Sequence, residues 1–148
     1  MKSVRLIDTS ILCEILEIPG KSNPVSAKKI LTEFCRLARK DVRFILPLAT
    51  VVETGNHIAQ NGDGNIRRKK AQELVEFVKK SMEMTSPFQQ ILFWNSADLC
   101  AWMDAFPDSA MRGIGLGDVS IMRDLEKAKS LLPSNTPIDI WSKDDHLA

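Results

Sequence analysis

Three short apolar runs constrain this chain most: VRLID (4–8), VRFILPL (42–48) and PIDIWS (137–142). Each is too short for a stable helix and is bounded by acids, prolines or turn residues, as a buried strand is. The intervening segments carry helical spacing. SILCEILEI runs to Pro19-Gly20, and Asn23-Pro24, a cap followed by proline at the first helical position, opens a helix to about Arg39. ATVVETGNHIAQ stops at the NGDGN turn (61–65), and an amphipathic helix spans roughly 66–84 with Leu74, Phe77 and Val78 on its apolar side. SADLCAWMDAF is expected to stop at Pro107, and VSIMRDLEKAKSLL at Pro133. QQILFW fits either a short strand or the entry to a helix. Strands alternating with helices predict an α/β fold, a three-layer α/β/α sandwich around a central, mostly parallel sheet with right-handed crossovers.

The 148 residues suit one domain, 1–148, with 44% hydrophobic and 26% charged residues, the balance of a soluble globular protein. No apolar run approaches the roughly eighteen residues of a membrane span. The opening MKSVRLIDTS lacks the apolar stretch of a signal peptide, so a cytoplasmic location is expected. Cys13, Cys35 and Cys100 are odd in number and form no CxxC, which argues against disulfides or a zinc knuckle and for small buried hydrophobes. Net charge is only +1, but it is uneven. Arg67, Arg68, Lys69, Lys70, Lys79 and Lys80 stand against Glu73 and Glu76 in one helical segment, a patch that suits a polyanion.

Four acids fall where ligands gather in an open parallel sheet, at the carboxyl ends of strands. Asp8 ends the first strand, and Glu53 lies in the second turn of the helix after the second. Asp118 is in the first turn of the helix after GIGLG, and Asp144 sits just past the last strand. Carboxylates brought together repel unless protons or cations intervene, and hard oxygen donors suit Mg²⁺ or Mn²⁺. Such a metal can activate water at a phosphodiester, so a metal-dependent phosphodiesterase is chemically coherent. Simple helix capping by the same acids is the plainer alternative.

The motifs themselves resemble those of the PIN-domain ribonucleases, the family of the small VapC-type toxins of toxin–antitoxin systems. IDTSILCEIL resembles the family's opening motif, LPLATVVETGNHI its second, GLGDVSIM its third and IDIWSKDDHL its last, in order from residue 4 to 147. The resemblance implies Asp8, Glu53, Asp118 and Asp144 as catalytic metal ligands for one or two Mg²⁺ or Mn²⁺ ions. It also places Ser142 in the hydroxyl position of the last motif, where threonine is commoner, with His146 trailing and Asp145 variable between. Implied with it are RNA hydrolysis leaving 5′-phosphate and 3′-hydroxyl ends, an antitoxin protein that covers the site, and a homodimer.

Supporting roles follow for several neighbours. The hydroxyls of Thr9 and Ser10 can cap the first helix or hold water at a metal, and Ser142 can orient water beside Asp144 or merely end its strand. Thr50, Glu53 and His57 share one helix face, so His57 either meets a phosphate or is a half-exposed helix residue. Gly113, Gly115 and Gly117 lack the spacing of a dinucleotide fingerprint and read as a flexible turn that lets Asp118 reach the site. Arg67, Arg68, Lys69 and Lys70 are candidate RNA contacts: they open a helix against the preference of its dipole, a misfit that phosphates would relieve. A solvated charged face is the plainer reading. Trp94, Trp102 and Trp141 suit packing better than base stacking.

Two rival functions remain at this level. One is a catalytically silent RNA-binding or scaffold module of the same fold. The other is disfavoured in both its forms: an aspartyl-phosphate phosphatase needs DxDx[TV] where Asp8 is followed by Thr-Ser-Ile, and a receiver domain needs a paired acid before its aspartate and a lysine ending a later strand.

Overall fold

β1 (Ser3–Ile7) is the middle strand of a parallel sheet, flanked by β2 (Val42–Ile45) and β3 (Ile138–Trp141) in the order β2-β1-β3. The computed structural model describes residues 3–83, 85, 87–89 and 94–144. Between the strands run α1 (Thr9–Ile15), α2 (Pro24–Arg39), α3 (Leu48–Ala59), α4 (Gly64–Met82), α5 (Ser96–Met111) and α6 (Leu116–Leu131). Strand alternation builds two cores. Val4, Leu6, Ile45 and Ile140 face Ile121 and Ala128 of α6. Ile7, Val42, Phe44 and Trp141 face the other way, onto Leu12, Leu37 and Ile58 with Phe34, Leu74 and Phe77 packed around them. Helices therefore cover both faces of the sheet, the expected three layers.

Phe44, fully buried, anchors the second core, with the Phe34 ring stacked on it at 4.6 Å. Arg5, the one charge within β1, lies opposite Asp139 and donates to both of its carboxylate oxygens at 2.9 and 3.1 Å. It also covers the Trp141 ring at 5.3 Å. Asp139 is too exposed for this pair to add much stability. Its fork geometry instead favours the register that puts Ile7 beside Trp141 and so aligns the two carboxyl ends.

Local chemistry explains most boundaries. Asn23 accepts from the Ser26 N–H and Pro24 opens α2, as the sequence suggests. Phe88 bridges Phe44 in parallel, with the Phe44 N–H donating to Pro87 O and the Gln89 N–H to Phe44 O, both at 2.8 Å. The rest of QQILFW, residues 90–93, and the tail 145–148 lie outside the described residues.

Pro107 does not end its helix: α5 continues through it to Met111. Proline removes one intrahelical hydrogen bond, but Pro107 and Met103, one turn earlier, are both on the exposed side, where water can take up the loss. Two cysteines also depart from expectation. Cys13 is buried, and burial pushes its thiol up to about 11, whereas Cys35 and Cys100 are exposed. Among the described residues no helix is long and apolar enough to cross a membrane.

α5 and α6 pack together, with Asn95 and Asp98 forming a reciprocal capping box and Asp98 meeting Lys127 at 2.8 Å. One turn before Lys127, Asp124 is 7% exposed, and burial pushes its carboxyl up to about 7 against the pull of Lys127. Its folded pKa lies above its unfolded value, so the fold holds this proton more tightly. The contribution to stability is complete below about pH 4 and is lost as pH rises through about 7. Denaturant unfolding at pH 5 and pH 8 should therefore show a stability loss that Asp124→Asn largely removes. Equal losses in both proteins would mean that Asp124 is already charged in the fold at pH 5.

Candidate metal centre

Asp8 follows directly from the middle strand, and its backbone N–H still donates to Trp141 O at 3.1 Å. Its side chain caps α1, accepting from the Ser10 N–H at 3.4 Å. Two hydroxyls complete the cradle: Ser10 Oγ donates to Asp8 Oδ2 at 2.9 Å and Ser142 Oγ at 2.8 Å. Each hydroxyl also accepts once, Ser142 from the Asp144 N–H at 2.8 Å and Ser10 from the Lys143 N–H at 2.9 Å. The Ser10 and Ser142 donors to Asp8 all fall on Oδ2, and Oδ1 takes none of them.

β2 delivers the second acid by way of α3. Thr50, fully buried, donates its hydroxyl to Ile7 O at 2.7 Å and so fixes the first turn of α3 to the end of β1. Glu53 lies one turn on along the same face. Burial raises its carboxyl above the ordinary range, and the charges of Asp118 and Asp8 raise it further. The Thr9 hydroxyl pulls weakly the other way. Even so, Glu53 Oε1 and Thr9 Oγ1 are both buried without a well-formed hydrogen bond.

The third acid comes on α6, which Val119 and Ile121 pin to the core. Asp118 occupies the first turn, where the helix dipole favours a carboxylate. The three Gly residues before it divide their work. Gly113, at φ 78°, turns the chain out of α5, and Gly115 is the extended N-cap of α6. Gly117 is itself helical, and a Cβ there would overlap the Glu53 carboxylate. Glycine at this position leaves room for the Glu53 carboxylate in its present place against the α6 backbone, a role distinct from turn flexibility.

Asp8, Asp118 and Asp144 each offer an oxygen within 4.8 Å of the others, graded from buried through intermediate to exposed. Glu53 senses all three charges. An all-oxygen donor set, a cost of ionising Glu53 and buried oxygens lacking well-formed hydrogen bonds fit a hard divalent cation, which would satisfy them together. His57 lies one turn beyond Glu53, half-buried in a cleft with Lys21, Gln60 and Asn61; burial, then Lys21, lowers its pKa. Asp145 and His146 lie outside the described residues.

The basic stretch is not one surface. Lys70 is 13% exposed, donating to Leu16 O at 2.7 Å and pairing with Glu73 at 2.9 Å, so it ties α4 to the end of α1. Arg67 donates to Asn61 O. Arg68 and Lys69 are exposed. The expected conflict with the helix dipole also disappears. α4 begins at Gly64, capped by Asp63 through the Asn65 and Ile66 N–H groups, which leaves the cations beyond the first turn. Trp141 packs on Phe44 at 6.0 Å, and Trp94 on Trp102 at 5.7 Å.

The chain shares its fold with a chain in the crystal structure of VapBC2 from Rickettsia felis bound to a DNA fragment from their promoter. The TM-score is 0.54 at 12% identity, covering 94% of this chain and 99% of that one. FitAcB from Neisseria gonorrhoeae gives 0.53 at 16% identity, covering 95% and 87%. No protein-family model and no curated protein sequence matches the chain. At these identities the likeness establishes the fold.

The crowding at Gly117 gives a direct test of the centre. Gly117→Ala favours the helix by up to about 1 kcal/mol of propensity but displaces the Glu53 carboxylate. Calorimetric titration should show Mn²⁺ affinity falling about tenfold or more, with thermal stability in EDTA kept or raised. Unchanged affinity would mean that Glu53 does not take part in cation binding.

Proposed function

We propose that this protein is a Mg²⁺- or Mn²⁺-dependent endoribonuclease of PIN type and the toxin of a toxin–antitoxin pair. The observation that carries this reading is the convergence of Asp8, Asp118 and Asp144 oxygens within 4.8 Å, with Glu53 beside them, at the carboxyl edge of a parallel sheet. The order of the four motifs supports it, as does the fold shared with a chain of VapBC2. A divalent cation held by these acids would supply Lewis-acid activation of water and neutralise charge on the attacked phosphate.

The chain's own residues would prepare the site. Ser10 and Ser142 would hold Asp8 in one orientation through Oδ2, leaving Oδ1 for the cation. Thr50 sets the distance of α3 from the end of β1, and Gly117 admits the Glu53 carboxylate. Thr9, whose buried hydroxyl makes no well-formed hydrogen bond, would hold water at the cation. Arg68 and Lys69 would attract the RNA backbone electrostatically, while Arg67 and Lys70 keep the surrounding turns in place. Leu48, Val52, Leu99 and Leu116 leave apolar surface exposed beside Glu53, between α3, α5 and α6. This surface supports a protein partner there, which the toxin reading makes the antitoxin, covering the acids.

The test is cleavage of a pool of structured and unstructured RNAs by the purified chain and by Asp8→Asn, with Mn²⁺ or with EDTA. Asparagine caps a helix as well as aspartate does, so the variant should keep its fold while losing a charged ligand. Cleavage is expected only for the wild type with metal. Metal-dependent binding of RNA without turnover by the wild type would favour the silent module. Charge reversal of Arg68 and Lys69 should weaken RNA binding and flatten its salt dependence by about two counterions, leaving Mn²⁺ affinity unchanged. An unaltered salt slope would return both side chains to the solvated surface.

A further inference from the structure

Glu14 lies on the last turn of α1 and is 1% exposed, a rare position for an acid. Of its two oxygens, Oε2 is buried with no hydrogen-bond partner, while Oε1 meets Lys143 Nζ at 2.9 Å. Lys143 is half-exposed and stands between Ser142 and Asp144. Its backbone N–H donates to Ser10 Oγ at 2.9 Å. Ser10 and Glu14 are four residues apart and share one face of α1. That face therefore grips the turn after β3 twice, by a hydroxyl on the backbone and by a buried carboxylate on the side chain. α1 is a firm base for the grip, since Ile11, Leu12 and Cys13 are all buried.

We infer that Glu14 is a positioning residue: through Lys143 it holds the terminal turn so that Asp144 stays within the acid cluster. This deepens the proposed function and rests on Asp144 acting as a cation ligand. The chemistry favours a tether over an ordinary surface ion pair. A carboxylate this deeply buried has few ways to be compensated, so the cation is drawn to one place, and the lysine stem carries the adjoining backbone with it. The link spans 129 residues of sequence and joins the first helix to the residues just past the last strand.

Removing Lys143 alone leaves a buried charge and can unfold the protein for that reason. The informative variant is Glu14→Gln/Lys143→Met, which removes both charges and restores an uncharged core. Two measurements are made on the full chain: backbone ¹⁵N relaxation in EDTA, and Mn²⁺ titration. The double variant is expected to melt close to the wild type. Order parameters at Lys143 and Asp144 should nevertheless fall from about 0.85 to below about 0.6. Mn²⁺ affinity should weaken about tenfold or more. Lys143→Arg in the wild-type background, which keeps a cation within reach of Glu14, should retain both. Wild-type order at Lys143 and Asp144 in the double variant overturns the inference, as does wild-type Mn²⁺ affinity. If the wild type bound no Mn²⁺, the metal reading would fall alone, because relaxation in EDTA decides the tether.

Discussion

Parallel pairing on both sides of β1 is the constraint from which the site follows. A central strand with parallel neighbours brings three carboxyl ends to one edge, and the register Ile7 opposite Trp141 sets two of them level. Asp8 thereby meets Ser142 across the strands, and Thr50 reaches back to Ile7 O from the helix after β2. Both contacts tie neighbouring elements to the end of the middle strand, one at Ile7 O and one at Asp8 just beyond it. They are made at the carboxyl edge of the sheet, where the ladder ends and polar groups need other partners.

The same geometry stores electrostatic tension. Asp8, Asp118 and Asp144 lie close together with Glu53, whose carboxyl is raised by burial and by its neighbours' charges. Hydrogen bonds from Ser10 and Ser142 offset part of the cost at Asp8, while Glu53 Oε1 lacks such a donor. A fold held by apolar packing on both faces of the sheet can tolerate this local imbalance. Two features depend on it: glycine at 117, where the carboxylate occupies the space of a side chain, and the hydroxyl pair at 10 and 142, which takes up the charge of Asp8.

The sheet and the acids were legible in the sequence because both are local signals. VRLID and PIDIWS read as strands with acids at or just beyond their ends, and Asn23-Pro24 announces a helix without reference to anything distant. What could not be read depends on separation in sequence or on exposure. Glu14 sits within a helical pattern, and its partner lies at the far end of the chain. Gly117 resembles part of a flexible loop in the sequence because Glu53, which occupies its Cβ space, is on another helix. Lys70 is indistinguishable in sequence from its charged neighbours, although its ammonium is spent on Leu16 O and Glu73. Pro107 has the sequence mark of a stop because a proline in a helix is costly, yet an exposed turn can bear that cost.

Crystals grown or soaked with Mn²⁺ and measured at the manganese absorption edge decide whether the four carboxylates, from four separate elements, form one divalent-cation site. An anomalous peak bounded by Asp8, Glu53, Asp118 and Asp144 is expected, with metal–oxygen distances of about 2.1 Å. A fully occupied peak elsewhere on the surface, or none among these acids at millimolar Mn²⁺, would contradict it.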